Sequence, residues 1–359
     1  MKIAFYAPLK APDHPVPSGD REMGRLLIRA LETAGFRVSV ASTLRAFTPE
    51  PDLMPKLRQA ADAEKARLMQ VWTQTGKPDL WFTYHPYYKA PDLLGPDLAR
   101  HFDIPYVTAE ASYSPRRDRQ GWAAAQAWVR DAITLARLNL CFTDRDRDGL
   151  GRAVPGGRFA SLVPFIDTAA FADGFAEPAG RNLMTVAMMR KGDKFASFTM
   201  LAKALALLPD LPWHLSVIGD GPVRRETIAL FAGLPRERFD WRGELAPDAV
   251  PSALRKGGIY VWPGCGEAYG LAYLEAQAAG MPVVAQATAG VPAVVEHGRT
   301  GLLTPDGDVA AYAAAIRDLF SDDAKRKAYG QAARSFVLDE RALAPASRRL
   351  AQLLKDALA

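Results

Sequence analysis

Lys2–Ser42 reads KIAFYAPLKAPDHPVPSGDREMGRLLIRALETAGFRVSVAS. KIAFYAP (Lys2–Pro8) is a short apolar run closed by proline, the pattern of a buried strand. A proline-rich loop follows. From Ser18–Asp20 to about Ala34 the residues Met23, Leu26, Leu27, Ala30 and Leu31 recur at helical spacing. Gly35 marks the end of that helix, and FRVSVAS (Phe36–Ser42) is the next strand. Strand, loop, helix and strand make a βαβ unit.

The same alternation runs outward from this unit. Strands are predicted at Asp79–Tyr84, Ile104–Ala109 and Leu138–Thr143, with helices over 56–75 and Trp122–Leu138. A proline-broken stretch, 154–180, reads as a linker. Strands then recur at 183–189, 213–221, 258–264 and 281–286. Between them lie helices over 196–208, 223–231 and 270–279, with others from about 308 and 323. Regular β–α alternation predicts parallel sheets covered on both faces. The expected architecture is α/β, with two doubly wound Rossmann-like domains over 1–165 and 166–340. The cleft between them is the default ligand site. A last helix over 341–359 carries Leu350, Leu353, Leu354 and Leu358 on one face.

The 359 residues, 49% apolar and 24% charged, fit two globular domains and exclude a disordered, collagenous or disulfide-stapled chain. No apolar run approaches the ~18 residues of a membrane span, and the N-terminal run is too short for a signal peptide. Cys141 and Cys265 lie far apart and read as free thiols, so a cytoplasmic location is expected. Residues 1–165 hold 23 Lys and Arg against 18 Asp and Glu, while the rest is balanced at 22 of each. The net charge of +5 therefore resides in the first half. A basic surface there suits nucleic acid, an anionic lipid surface or a phosphorylated acceptor; a mildly basic soluble surface accounts for it equally. Nucleic acid is not an expected partner.

GCGEAYGLAYLEAQAA (Gly264–Ala279) is the segment richest in chemistry. A glycine-rich turn from strand to helix frees backbone N–H groups, and with the helix dipole these bind phosphate. Glu267 in the turn is placed to accept hydrogen bonds from sugar hydroxyls, and Glu275, two helical turns along, from a ribose. That pair suits a nucleotide sugar. For Glu275 alone the alternative is a solvated helix residue, set against the apolar neighbours Ala272, Leu274, Ala276 and Ala278.

Glu267-Ala-Tyr-Gly270-Leu-Ala-Tyr-Leu-Glu275 resembles the E-x7-E pattern of retaining GT-B glycosyltransferases, close to glycosyltransferase family 4. ATAGVPAVVEHGRTGLLTPDGD (287–308), VIGDGP (217–222) and FIDTAAF (165–171) resemble other parts of that family, so the likeness covers most of 160–320. The resemblance implies a GT-B fold and a retaining sugar transfer, in which the acceptor attacks on the face the diphosphate leaves; a clamp of cations and backbone N–H groups makes that transfer metal-independent. Glu267 would bind donor-sugar hydroxyls and Glu275 the ribose. Gly266, Tyr269, Gly270, Leu271 and Gly219 would line the diphosphate and nucleotide. The donor would be a UDP-, GDP- or ADP-sugar with no separate cofactor, and the acceptor a hydroxyl on a glycan, lipid or small molecule. The last helix would cross back to the first domain.

The family's Gly-Arg pair at the strand end is missing from MMRKGDK (188–194), where Ala187-Met188 stand instead. Two cations are needed against the leaving diphosphate. Arg190 and Lys194 are the expected pair, with Lys191 the competitor. Gly19, in Pro17-Ser18-Gly19-Asp20, is the candidate for close backbone approach to the donor; a plain helix cap by Ser18 explains the segment as well. His85 follows a strand, a frequent active-site position. Glu110 stands where the family often has a histidine. Both are candidate catalytic residues, and both are also ordinary loop residues. Asp144-Arg-Asp146-Arg-Asp148 contains D-x-D, but its arginines repel a cation and it sits at a helix start, where aspartates cap. No metal site is expected. A sugar-nucleotide epimerase on the same fold, using Glu110 and His85, is the rival enzyme. A non-catalytic module binding a nucleotide sugar, or nucleic acid through the basic half, is the third reading, and the Glu267/Glu275 pair argues against it.

Overall fold

The structure, a computed structural model, describes residues 1–172 and 182–358. Contacts divide the chain into two units, Met1–Val163 with Leu343–Ala359, and Pro164–Ala342.

The first unit runs β1 (Lys2–Tyr6), α1 (Gly19–Thr33), β2 (Arg37–Ser42), α2 (Met54–Thr75), β3 (Leu80–Tyr84), α3 (Gly95–Phe102), β4 (Tyr106–Ala109), α4 (Ala123–Leu135), β5 (Leu138–Cys141), α5 (Asp144–Ala153) and β6 (Phe159–Ser161). Its six strands are parallel, in the order β2-β1-β3-β4-β5-β6. Building starts at β1 and steps to β2, then resumes on the other side of β1 with β3. The strand order therefore reverses between β1 and β3. β1 and β3 are almost wholly buried, and Phe5 stacks on Phe82 with ring centroids 5.7 Å apart.

α3 has no counterpart in the sequence reading, because Gly95-Pro96 looks like a turn. A tertiary contact makes it a helix. The buried Asp92 carboxylate accepts from the Leu94 and Gly95 amides at 2.9 and 2.7 Å, which caps the helix start. It also accepts from Trp81 Nε1 (3.1 Å), from the Tyr106 hydroxyl (2.9 Å) and from the Thr83 hydroxyl. A cap supplied by a carboxylate that tertiary donors also hold is invisible to local pattern. The stretch expected to be a linker is corrected as well. Phe159–Ser161 is an edge strand, and Leu162, Phe165 and Ile166 are buried. Residues 173–180 of that stretch lie outside the described residues.

The second unit runs β7 (Asn182–Val186), α6 (Asp193–Ala206), β8 (His214–Ile218), α7 (Arg224–Ala229), β9 (Phe239–Gly243), α8 (Val250–Leu254), β10 (Ile259–Val261), α9 (Leu271–Ala278), β11 (Val283–Gln286), β12 (Gly301–Thr304), α10 (Val309–Ser321) and α11 (Asp323–Glu340). Its parallel sheet has the order β12-β11-β10-β7-β8-β9, reversing between β7 and β10. The last helix, α12 (Leu343–Leu358), belongs to the first unit. It lies on α1, with Leu350 and Leu354 buried and the Ser347 hydroxyl donating to the Ala30 carbonyl at 2.8 Å.

Among the described residues no helix is long and apolar enough to cross a membrane. Both cysteines are free; burial pushes the Cys141 thiol up to about 12.

Candidate active site

In an open α/β sheet the crevice at a strand-order reversal, at the carboxyl ends of the strands, is where ligands bind. In the second unit that place lies beyond β7 and β10. Lys194, in the first turn of α6, and Glu267, in the turn after β10, meet there. The Lys194 ammonium donates to Glu267 Oε2, and the indole of Trp262 donates to the same oxygen at 3.3 Å. The Lys194 nitrogen also lies 5.5 Å from the centre of the Trp262 ring. The two charged side chains are 28% and 18% exposed, so they are partly withdrawn from water yet open to a ligand.

Several bonds fix the turn carrying Glu267. The Cys265 amide donates to Ser197 Oγ on α6 at 2.9 Å. Gln286, wholly buried at the end of β11, donates to the Pro263 carbonyl at 3.3 Å and accepts from the Gly307 amide at 2.5 Å. Gly266 adopts φ 63, and a Cβ there would meet the Asp193 carboxyl at 2.6 Å. Only glycine allows the turn this close to α6. Gly270 precedes α9 with no side chain capping the helix start, which leaves that end suited to an anion. Leu271 opens α9, Tyr269 is buried, and Glu275 is half-buried along the helix.

The other cationic candidates lie in the loop between β7 and α6. Arg190 and Lys191 are both exposed, four and three residues before Lys194. The structure brings Lys194, not Lys191, to Glu267. Gly219 follows β8, and a Cβ there would meet the Ala187 carbonyl at 2.0 Å, so its backbone lies against the end of β7.

The first unit holds a second cluster at its own reversal. Asp20, in the first turn of α1 and so reached from β1, meets His85, the residue after β3. Nδ1 of His85 lies 2.9 Å from Asp20 Oδ1. The imidazole stacks on Tyr87, with centroids 5.2 Å apart. Tyr84 pairs with Ala109 in the register of β3 and β4, so His85 and Glu110 leave neighbouring strands at the same level. Both have φ 56, a left-handed conformation that disfavours L side chains. Burial pulls the imidazole down, but the carboxylates of Glu110, Asp20 and Asp146 outweigh it and hold the pKa at about 9. The imidazolium is the form present at neutral pH.

Gly19 does not join this cluster through a backbone need. It is the first residue of α1, and a Cβ there would meet nothing within 4 Å. Ser18 caps the helix, accepting from the Arg21 amide at 3.2 Å. The Asp144–Asp148 run opens α5, but the cap is Thr143, which accepts from the Asp146 amide at 3.0 Å. Arg147 pairs with Asp144 and Asp148 at 2.9 and 3.3 Å.

Residues 180–322 match the family model described as Glycosyl transferases group 1. The second unit carries a glycosyl transferases group 1 domain. The chain is 32% identical over 197 residues to D-inositol 3-phosphate glycosyltransferase of Pseudarthrobacter chlorophenolicus, an alignment covering 52% of this chain and 46% of that protein. It is 29% identical over 323 residues to 2-deoxystreptamine N-acetyl-D-glucosaminyltransferase of Streptomyces fradiae, covering 81% of this chain and 75% of that one. The chain thus spans less than half the length of the first of these curated relatives. The structure of Anabaena Alr3699/HepE in complex with UDP-glucose superposes with a TM-score of 0.72 at 18% identity, covering 99% of this chain and 100% of that one. The fold is GT-B.

Within the glycosyl transferases group 1 domain, sequence reasoning missed Ser197, Trp262 and Gln286. Gln286 carries the one local signal, a polar residue closing the apolar strand MPVVAQ. In the first unit it missed Asp20, which reads as an ordinary first-turn helix carboxylate.

Proposed function

We propose that the protein is a retaining, metal-independent glycosyltransferase of hexosyl type. It moves a sugar from a nucleotide-sugar donor to a hydroxyl acceptor. The carrying observation is the Lys194–Glu267 pair at the reversal of a glycosyl transferases group 1 domain. Without ligand the two charges neutralise each other. A donor offers each a better partner: its diphosphate for Lys194 and its sugar hydroxyls for Glu267. Arg190 adds the second cation, the start of α9 adds backbone N–H groups, and Glu275 takes the ribose. These groups stabilise the negative charge that grows on the leaving diphosphate, which is the task a metal would otherwise perform. The acceptor oxygen attacks the anomeric carbon on the face the diphosphate leaves. The bond to the diphosphate breaks as the new glycosidic bond forms, and the acceptor's proton passes to a phosphate oxygen.

UDP-sugars are the first donors to try, since a protein of this fold is seen with UDP-glucose. The acceptor is assigned to the first unit and carries an anionic group or sits at an anionic membrane surface on the cytoplasmic side. The +5 excess of residues 1–165 and the arginines Arg116, Arg117 and Arg119 support this, as does the phosphorylated inositol in a relative's name. The decisive experiment incubates the protein with UDP-, GDP- and ADP-sugars, with and without EDTA. One donor raises the melting temperature, by ~2.7 kcal/mol of stability at 100-fold its Kd. It is also turned over with retained anomeric configuration. An inverted product, or activity lost to EDTA and restored by Mn²⁺, overturns the mechanism. Epimerised donor in place of transfer marks the protein as an epimerase using His85 and Glu110.

A further inference from the structure

The Asp20–His85 contact joins two segments that are 65 residues apart in sequence, at the reversal point of the first sheet. Asp20 comes from the segment after β1 and His85 from the end of β3, the strands flanking that reversal. His85 is placed by main-chain bonds as well. Its amide donates to the Ala109 carbonyl at 2.8 Å, and the Glu110 amide donates to the Leu140 carbonyl at 2.9 Å. A residue held in left-handed backbone, stacked on Tyr87 and bonded at Nδ1, has its ring orientation set. Sites of this kind hold strain where the surroundings over-determine it.

We infer that Asp20 is a positioning residue for the transfer reaction: it binds Nδ1–H of His85 and so orients Nε2–H toward a substrate hydroxyl. The inference rests on the glycosyltransferase reading above. The groups facing the imidazole are Asp20 from α1, Glu110 beyond β4, Asp146 from α5 and the ring of Tyr87, with Lys10 facing Asp20 in turn. The three carboxylates favour the imidazolium, Glu110 most by charge, and Asp20 bonds to Nδ1 of the ring. Losing Asp20 therefore removes the Nδ1 hydrogen bond and part of the charge support, while Glu110 and Asp146 stay. A helix-start carboxylate with no other task would affect only the stability of α1.

The test compares wild type, Asp20→Asn and Asp20→Glu in the full chain. His85, one of five histidines, is followed by NMR of labelled imidazoles and assigned with His85→Gln. Turnover is read as hydrolysis of whichever UDP-, GDP- or ADP-sugar the wild type consumes, across pH. Asp20→Asn lowers the His85 midpoint by about one pH unit or more. It moves the alkaline limb of the kcat profile down with that midpoint, lowers kcat roughly tenfold and leaves KM for the donor nearly unchanged. Asp20→Glu restores the midpoint and most of kcat. An unchanged His85 titration in Asp20→Asn, or a kcat profile that superposes on wild type, overturns the inference while the glycosyltransferase reading stands. A wild type that consumes none of the three donors overturns both.

Discussion

Lys194 and Glu267 lie 73 residues apart in sequence and form an ion pair beyond the adjacent strands β7 and β10, where the strand order of the second sheet reverses. On the proposed function the pair would oppose donor binding, because Lys194 would have to release a carboxylate before taking a diphosphate. Glu267→Gln keeps the shape of the turn and releases the cation. It should tighten binding of the free nucleoside diphosphate by about tenfold, or ~1.4 kcal/mol, while sugar turnover collapses. Calorimetric titration beside a turnover assay checks this. Weaker diphosphate binding in the variant would show that the pair does not compete with the ligand.

The two sheets were legible in the sequence because buried parallel strands are continuous apolar runs, such as KIAFY and LWFTY, and the helices between them are periodic. The glycine turn around Glu267 was legible because glycine at left-handed φ leaves a compositional trace. What stayed hidden depends on distant partners. α3 forms because Asp92 caps it while Trp81, Thr83 and Tyr106 hold Asp92 in place. β6 is a three-residue edge strand among prolines, too short for period-2 alternation to register. Asp20 and His85 each have an ordinary local reading, and only the topology brings them together.

Glu110 offers a test of the backbone conformation itself. A left-handed residue with a Cβ carries ~1–2 kcal/mol that glycine does not. Glu110→Gly and Glu110→Ala both remove the carboxylate, so their difference isolates the backbone. The glycine variant should be the more stable by about 1 kcal/mol in urea denaturation, the reverse of the usual order in regular structure. Equal stabilities, or a more stable alanine variant, would refute the left-handed conformation.

The Asp20–His85 pair also ties stability to pH. The folded pKa of His85, at about 9, lies above its unfolded value. Its contribution is therefore fully present below about pH 6.5 and is lost as pH rises through 9, on the order of 3 kcal/mol in all. Asp20 is shifted the other way: burial raises it, and the hydrogen bond and charge of His85 outweigh that and lower it. Its contribution is present above its unfolded pKa and is lost as pH falls through the lower folded value. The pair is intact across the window between the two. Urea denaturation of wild type from pH 6 to 10 should show a fall that His85→Gln lacks. Parallel curves for the two proteins would contradict the shift.

The C-terminal helix should stabilise the first unit. α12 belongs to that unit by its contacts, lies along α1, and buries Leu350 and Leu354 completely. On α1 the buried residues Met23, Leu27, Ala30 and Leu31 form the apolar face of the helix. Truncation at either leucine leaves a cavity, and Leu350→Ala should cost 2–5 kcal/mol, by analogy with buried leucines generally. Ser347→Ala should cost about 1 kcal/mol or less, since the Ala30 carbonyl that accepts its hydroxyl also accepts the Ala34 amide at 3.0 Å. Hydrogen exchange locates the effect. In Leu350→Ala, amides of α1, β1 and β2 should lose protection while those of β7, β8 and β10 keep it. Equal loss in both units, or none in α1, would show that α12 does not act through the first unit.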